Sequence, residues 1–403
     1  MSRLFATAAL GTEDLVAGEL ARLGLAGVRR GQGGVHFDAP EGQELACGMR
    51  ACLSLRAALR VLWPLASFGV RDADALYEGA RAISWERFLT QRSTFAVAAT
   101  TRAAPPLSHA GFLVQRVKDG IVDRLRERLG GRPDVSRDDP DVRVYVHVAP
   151  TQKRGHSGGS HGDSQATIGL DLAGESLHAR GYRVAQVPAP LRETMAAAML
   201  LAAGWDGTRP LADPLCGSAT IAIEAALIAC RIAPGRAVRG RVFGFERWPC
   251  LGDPERTAWR RIVEEADDQA LPRSPVPIVA SDRDSDAVTA GRANASACAA
   301  PVRASIDFRV ADVRELAPMS PRGVVVSNPP YGERIGGAGK ALEVFWRTMG
   351  AHFRGLPGHA IFLLCGSPQM ARSLGMRPTW QRRMMNGPIP ITLCRFEGKR
   401  SIR

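Results

Sequence analysis

Several kinds of segment are missing from this chain of 403 residues. No apolar run approaches the roughly 20 residues that a membrane-spanning helix needs, and the first residues contain no apolar stretch of the kind found in signal peptides. The eight cysteines are scattered and form no Cys-x-x-Cys pair, so a zinc ribbon is not expected. We therefore expect a cytoplasmic protein with reduced core thiols, no membrane association and no bound metal.

Acidic residues are also in short supply. Lys and Arg number 53 against 40 Asp and Glu, which gives a formal net charge of +13. This balance favours a polyanionic partner such as a nucleic acid. Nearly all the basic residues are arginine, and a biased codon supply can contribute to that choice, but it does not account for the net charge.

Two nucleotide-binding patterns are absent from the glycine turn at 213–218. A short strand at 211–212 ends at Asp213, and a helix is predicted to open near Ser218 after the turn with Gly217. A helix N-terminus of this kind suits a carboxylate or a phosphate. Neither a Gly-Lys-Ser/Thr phosphate loop nor Gly-x-Gly-x-x-Gly follows. The sequence therefore favours an amino-acid-bearing nucleoside over a nucleotide phosphate as the ligand.

Acidic residues end the next two predicted strands. Asp282 and Asp284 follow the strand at 277–281, and an acid at this place can accept both hydroxyls of a ribose. Asp312 follows the strand at 306–311, where it can receive an adenine amino group while Val313 packs on the ring. Because parallel strands end at one edge of a sheet, these residues are expected to line one pocket.

The run Asn-Pro-Pro-Tyr at 328–331 follows the apolar strand at 324–326. Pro329 and Pro330 fix the backbone and remove two donors, so neither strand nor helix can continue. The Asn328 side chain and a carbonyl beside proline can accept hydrogen bonds from an NH2 group, while Tyr331 offers a face for stacking. The alternative interpretation is a structural turn stopped by proline.

The N-terminal part begins with a β-α-β pattern, and residues 109–150 form a distinct unit. Apolar residues at helical spacing predict a helix over 109–129 that ends at Gly130. Its other face carries Arg116, Lys118, Arg124, Arg126 and Arg128. This face fits either RNA phosphates or plain solvent, and solvent is the commoner case.

Two further segments complete the pattern. Residues 151–164 contain no apolar side chain and are predicted to form a flexible surface loop, in which His156 and His161 are not expected to bind metal. From residue 191 onward, strands and helices alternate as in a mostly parallel sheet, and runs at 380–386 and 391–397 predict a closing antiparallel pair.

These motifs support a family resemblance. Asp-Pro-Leu-Cys-Gly-Ser at 213–218 and Asn-Pro-Pro-Tyr-Gly-Glu-Arg at 328–334, in this order, resemble the class I S-adenosylmethionine-dependent methyltransferases that modify exocyclic amines. Phe112-x-x-Gln-Arg-Val-Lys-Asp-Gly, Arg132-Pro-x-Val, Asp141-Val-Arg and Leu177-His-x-Arg-Gly-Tyr-Arg resemble the bacterial 23S rRNA guanine-N2 methyltransferase family. The resemblance covers nearly the whole chain.

The resemblance implies an α/β architecture with three parts. These are a ferredoxin-like segment at 1–42, a THUMP RNA-binding α+β domain at 43–175, and a Rossmann-like methyltransferase domain at 176–403. It implies S-adenosylmethionine as the cofactor and RNA, either 23S rRNA or a ribosomal precursor, as the partner; it gives no oligomeric state. The implied cofactor-binding residues are Asp213, Pro214, Cys216, Gly217, Ser218, Thr220, Asp282, Asp284, Asp312, Val313 and Asn328. The implied catalytic residues are Asn328, Pro329, Pro330 and Tyr331, and the basic helix face is expected to contact RNA.

One departure and three alternatives remain. The family usually has Gly-Ser-Gly-Thr where this chain has Ala219 as the third residue, which is tolerable if φ is negative there, although the methyl group could crowd the cofactor's methionine part. Guanine-N2 methylation of tRNA and adenine-N6 methylation of nucleic acid would use the same chemistry. A catalytically silent RNA-binding protein is the alternative of a different class, and binding of S-adenosylmethionine distinguishes it from an enzyme.

Overall fold

The computed structural model describes residues 2–103, 105–151, 164–185, 187, 190–319, 322–330 and 339–398. Within them the N-terminal half forms one eight-stranded sheet in the order β2-β3-β1-β4-β8-β7-β5-β6. Its strands are β1 Ser2–Ala8, β2 Ala26–Gly31, β3 Gly34–Ala39, β4 Ala58–Val70, β5 Thr94–Thr101, β6 Asp134–Val135, β7 Val142–Pro150 and β8 Ser164–Asp171.

The long strand β4 joins the first β-α-β unit to the unit that follows it. One part of β4 pairs antiparallel with β1, and it also pairs antiparallel with β8 along most of its 13 residues. The helices on this sheet are α1 Glu13–Arg22, α2 Glu44–Ser54, α3 Ala73–Ala82 and α4 Ala110–Leu129. A single continuous sheet therefore underlies residues 2–171.

Helix α4 follows the predicted helical spacing. Leu113, Val117, Ile121 and Leu125 recur every four residues and are fully buried, so one stripe of the helix faces the sheet. The helix ends at Gly130, whose φ of 71° lies in the left-handed region that glycine adopts without strain. The prediction for this segment is confirmed.

The C-terminal half forms a seven-stranded sheet in the order β11-β10-β9-β12-β13-β15-β14. Its strands are β9 Leu211–Asp213, β10 Ile278–Asp282, β11 Ile306–Val310, β12 Val324–Ser327, β13 Ala360–Cys365, β14 Trp380–Asn386 and β15 Ile389–Glu397. The accompanying helices are α5 Glu193–Ala202, α6 Thr220–Ala229, α7 Asp253–Asp267, α8 Ser285–Ala297, α9 Ala300–Ser305, α10 Lys340–Arg354 and α11 Pro368–Ser373.

The topology of this sheet places a crevice beside β9. Strands β9 to β13 are parallel, whereas β15 runs antiparallel to β13 and pairs with β14, so the α/β fold with a terminal antiparallel pair is confirmed. Beyond β9 the chain order runs through β10 and β11 on one side and through β12 and β13 on the other. Ligands of open α/β sheets bind outside the carboxyl ends of strands at such a switch point.

A buried ion pair connects the two halves. The Arg180 guanidinium donates to the Arg56 carbonyl at 2.5 Å and to a carboxylate oxygen of Glu224, on α6, at 3.4 Å. The Tyr182 hydroxyl donates to the same Glu224 oxygen at 3.0 Å. Arg180 and Glu224 are 1% and 0% exposed, so the two charges depend on each other for compensation.

The helices of the described residues include none with the length and apolar character needed to span a membrane.

Candidate active site

The carboxyl ends of the neighbouring strands β9 and β12 are joined by a short hydrogen bond. The Ser327 hydroxyl donates to the Asp213 carboxylate at 2.5 Å, and both side chains are buried. Burial in a site with few donors raises the pKa of Asp213 from the usual 3.8 to about 7, and the neighbouring Asp282 adds to the rise. Asp213, predicted to bind the cofactor, is therefore buried and links the carboxyl ends of β9 and β12.

The turn after β9 has an unusual backbone. Gly217 and Ala219 have φ values of 50° and 63°, both in the left-handed region. The condition for alanine, a negative φ, is therefore not met: Ala219 adopts a conformation that costs a residue with a Cβ about 1–2 kcal/mol. The Cys216 amide donates to the Ser281 carbonyl at 2.9 Å, and the Gly217 amide donates to Asp282 at 3.0 Å. Strand β10 therefore helps to hold the strained turn.

The turn leads directly into α6, whose first residue is Thr220. No side chain in the described residues caps this ten-residue helix at its N-terminus, so its first amides are available for an anion. Pro214 and Ser218 are buried beside the turn. This arrangement fits the carboxylate of an amino-acid group.

The acids at the ends of β10 and β11 have different tasks. Asp282 accepts from the amides of Gly217 and Asp284 and retains further acceptor capacity. Asp284 caps α8 by accepting from the Asp286 amide at 2.9 Å. The carboxylate of Asp312 hydrogen bonds with the Arg314 guanidinium, which lowers the pKa of Asp312, while Val313 is buried beside it. Within the described residues, the Asp284 carboxylate accepts one hydrogen bond, Asp282 two and Asp312 three, so Asp282 and Asp284 both retain free acceptor capacity.

The loop after β12 presents an acceptor without a partner. The side-chain oxygen of Asn328 is buried and accepts no hydrogen bond from any described residue, although a buried polar atom normally has a partner. The Trp346 indole donates to the Pro330 carbonyl at 3.1 Å and fixes the loop against α10. Pro329 is also buried. Tyr331, predicted to stack on the substrate, lies outside the described residues.

The basic face of α4 is largely engaged in ion pairs. Arg116 pairs with Asp74 at 2.6 Å and lies over the Tyr77 ring, and Arg124 pairs with Glu86 at 2.6 Å with 15% of its side chain exposed. Arg126 pairs with Asp123, and Lys118 contacts Gln115 and Asp119. Arg128 is exposed and makes no ion pair or hydrogen bond within the described part of the chain. Arg124 and Arg116 thus stabilise the packing of α4, and Arg128 is the freest charge.

No metal site accompanies these residues. Among the described residues, no group of three or more His, Cys, Asp or Glu side chains is placed to hold an ion. His156 and His161 fall outside the described residues.

Sequence reasoning missed three residues that shape the site. Ser327 occupies the last position of β12, Trp346 reaches the loop from α10, and Asn294 of α8 contacts the turn. Only Ser327 had a local signal, since it directly precedes the Asn-Pro-Pro motif. The contacts of the other two depend on how α8 and α10 pack.

Comparison with known proteins identifies each part of the chain. Residues 180–395 match the family model described as RMKL-like, methyltransferase domain. Residues 70–152 match the THUMP domain, and residues 3–62 match the RlmL ferredoxin-like domain. The resemblance inferred from the motifs, including the ferredoxin-like and THUMP parts, is confirmed.

Curated relatives are longer than this chain. A protein of Aeromonas hydrophila named ribosomal RNA large subunit methyltransferase K/L is 37% identical over 416 residues, covering 98% of this chain and 54% of the relative. A protein of Methylococcus capsulatus with the same name is 37% identical over 404 residues, covering 98% of this chain and 51% of that relative. The chain thus spans about half the length of the curated relatives it matches.

Solved structures match along the full chain. A protein described as a putative methyltransferase complexed with SAH is 29% identical with a TM-score of 0.83, covering 99% of this chain and 98% of that one. A Listeria monocytogenes protein described as a predicted N6-adenine-specific DNA methylase is 32% identical with a TM-score of 0.83, covering 99% of this chain and 96% of that protein. The whole arrangement of the two halves is therefore shared with these structures.

Proposed function

Because the chain belongs to the family whose model is described as RMKL-like, methyltransferase domain, we propose that it methylates the exocyclic N2 amine of a guanine in RNA. The proposed methyl donor is S-adenosylmethionine, and the proposed substrate is 23S rRNA or its precursor. The proposed location of the protein is the cytoplasm. The observation that carries the proposal is the buried side-chain oxygen of Asn328, which lies at the switch-point edge of the sheet and has no hydrogen-bond partner among the described residues. The names of the rRNA-modifying relatives and the net charge of +13 support an RNA substrate.

The residues present fit S-adenosylmethionine. The uncapped N-terminus of α6 suits its carboxylate, and a Cβ at Gly217 would meet no described atom closer than 3.7 Å, which leaves room beside the turn. Asp282 can accept from the ribose hydroxyls, and Asp312 with Val313 would hold the adenine. The relative crystallised with SAH supports this choice. When bound, S-adenosylmethionine would supply an electrophilic methyl group attached to its sulfonium sulfur.

The chain's own contribution is to position the amine. The lone pair of a guanine N2 amine is delocalised into the base, so the amine is a weak nucleophile. In the proposed mechanism the Asn328 side-chain oxygen and the Pro329 carbonyl oxygen each accept a hydrogen bond from one N–H group of the amine. These two hydrogen bonds orient the nitrogen lone pair toward the methyl group. Pro330 is held by Trp346 and keeps this loop rigid, and Tyr331 is proposed to stack on a base turned out of the RNA. No general base is required, because the amine becomes far more acidic after transfer.

The division of labour along the chain is also part of the proposal. Residues 1–42 are proposed as a ferredoxin-like segment, residues 43–175 as the THUMP RNA-binding domain and residues 176–403 as the methyltransferase domain. Lys118, Arg126 and Arg128 are proposed to face RNA phosphates, whereas Arg116 and Arg124 support the helix through their ion pairs. The THUMP-domain match over 70–152 includes this helix.

Asn328→Ala tests the assigned role. The substitution removes the acceptor and leaves the prolines in place, so binding of S-adenosylmethionine should change little while turnover falls by about 10²–10³. Calorimetry with the cofactor and single-turnover methyl transfer to RNA measure the two effects. Thr348→Ala, an exposed change on α10, serves as the control. Loss of cofactor affinity by a folded Asn328→Ala protein with no effect on the chemical step would contradict the role.

A further inference from the structure

Asn294 on α8 uses every hydrogen-bonding position of its side-chain amide. It is 1% exposed. Its oxygen accepts from the amides of Val184 and Ala185 at 2.9 and 2.8 Å. Its nitrogen donates to the carbonyls of Ala185 and Ser218 at 3.0 and 3.2 Å. An asparagine amide has two donor hydrogens and two acceptor lone pairs, so this network is complete.

The network joins two separate segments at the site. Ser218 belongs to the strained turn between β9 and α6. Residues 184, 185 and 187, which we name the strap, lie near the start of the segment that matches the methyltransferase domain. A Cβ built on Gly217 would lie 3.7 Å from a methyl group of Val187, so the strap passes over the turn. Asn294 therefore fixes the strap and the turn to the same helix.

The surface of α8 is shaped for this contact. Gly291 lies one turn before Asn294 on the same face of the helix. A Cβ at Gly291 would approach the Ala219 methyl to 2.9 Å and the Gly217 carbonyl to 3.5 Å. The missing side chain thus makes room for the alanine that stands in the left-handed conformation. One helix face both accepts the turn and bonds to it.

A purely structural role is the simpler explanation for a buried asparagine. In that case its removal would lower stability and affect every ligand of the domain alike. Both segments that it holds border the proposed place of the cofactor's amino-acid part, next to the uncapped start of α6. None of its four bonds is made to β10 or β11, and the turn's bond to Asp282 comes from the Gly217 amide, to which Asn294 does not bond. Its effect should therefore be confined to one part of the ligand.

We propose that Asn294 is a positioning residue for the cofactor: it holds the strap against the turn so that together they form the wall beside the amino-acid part of S-adenosylmethionine. This inference rests on the proposed function. It assigns no chemical step to Asn294. A wall that is already ordered before the cofactor binds reduces the conformational entropy lost on binding. Substitution of Asn294 should therefore weaken cofactor affinity and raise the KM for the cofactor, while kcat stays nearly unchanged.

The test compares two ligands on matched variants of the full chain. S-adenosylhomocysteine carries the amino-acid part, and 5′-methylthioadenosine lacks it. With two or more hydrogen bonds lost, Asn294→Ala should raise the Kd of S-adenosylhomocysteine about tenfold and leave the Kd of 5′-methylthioadenosine unchanged within error. Asn294→Ser, which keeps a hydroxyl, is the milder variant if the alanine protein does not fold.

Ser305→Ala is the matched control. Ser305 is also buried and forms several hydrogen bonds, including one from the Ser274 amide at 2.8 Å. It is the last residue of α9 and directly precedes β11, so it lies away from the carboxyl ends of the strands. This variant should lose stability without losing affinity for either ligand. Equal weakening of both ligands by the Asn294 variants, or no weakening, would overturn the inference. If the unmodified chain binds neither ligand, the proposed function itself fails, which is a separate result.

Discussion

Asp213→Asn should make the ligand-free protein more stable at alkaline pH. Asp213 is buried, receives one short hydrogen bond from Ser327, and has its pKa raised to about 7. A carboxyl whose pKa is higher in the folded state than in the unfolded state stabilises folding below pH 4, and this contribution is lost as the pH rises through about 7. Asparagine keeps the acceptor oxygen for Ser327 and carries no charge.

The size of the effect follows from the difference between 3.8 and about 7. One pKa unit corresponds to about 1.4 kcal/mol, so ionising Asp213 in the folded protein costs up to about 4 kcal/mol at pH 8.5. The variant should therefore gain up to that amount in the free energy of unfolding at pH 8.5 and little at pH 4. Urea unfolding without ligand at several pH values, followed by tryptophan fluorescence, measures the difference.

Asp206→Asn provides a control of opposite sign. The pKa of Asp206 is lowered by its hydrogen bond from Thr208, so its charge stabilises the folded state above pH 4 and this contribution is lost as the pH falls further. Its asparagine variant should lose stability at pH 8.5. The reasoning on Asp213 would be refuted if Asp213→Asn were equally or less stable than the unmodified protein at pH 8.5, or if its gain did not depend on pH.

Two other predictions concern charges. Arg180→Met removes the ion-pair partner of buried Glu224 and leaves only the Tyr182 hydroxyl as a described side-chain donor to it, so the free energy of unfolding should fall by about 3–5 kcal/mol. Urea unfolding measures this, and a loss no larger than that of an exposed arginine variant such as Arg261→Met would contradict it. Arg128→Gln should weaken RNA binding and reduce the slope of the logarithm of the binding constant against the logarithm of salt concentration by about 1. Arg124→Gln should instead mainly lower the stability of the protein, because Arg124 pairs with Glu86. Filter binding at several salt concentrations and thermal unfolding separate the two, and equal RNA affinities for both variants would contradict the assignment.

Features that depend on local pattern were predictable from the sequence. Helix α4 was predicted because apolar residues recur every three or four positions and Gly130 follows them. The motif at 328–331 was recognised because consecutive prolines exclude helix and strand. The acids at 282 and 312 were placed because parallel strands end at one edge. In each case a few neighbouring residues determine the outcome.

Features that depend on distant partners were not predictable. The positive φ of Ala219 is accommodated by Gly291 and anchored through Asn294, both on a helix that comes later in the chain. The ion pairs of Arg116 and Arg124 use Asp74 and Glu86, which only tertiary packing brings to α4. Spacing within α4 marks these arginines as one surface, but it carries no information about their partners.

Methyl transfer from labelled S-adenosylmethionine to unmodified 23S rRNA and to bulk tRNA, followed by nucleoside analysis, is the most direct test of the proposed function. The account predicts label in N2-methylguanosine from rRNA alone, with activity reduced by about 10²–10³ in Asn328→Ala. Label in tRNA or in N6-methyladenosine would contradict the proposed substrate while retaining the chemistry. Absence of cofactor binding would contradict the account as a whole and favour a silent RNA-binding protein.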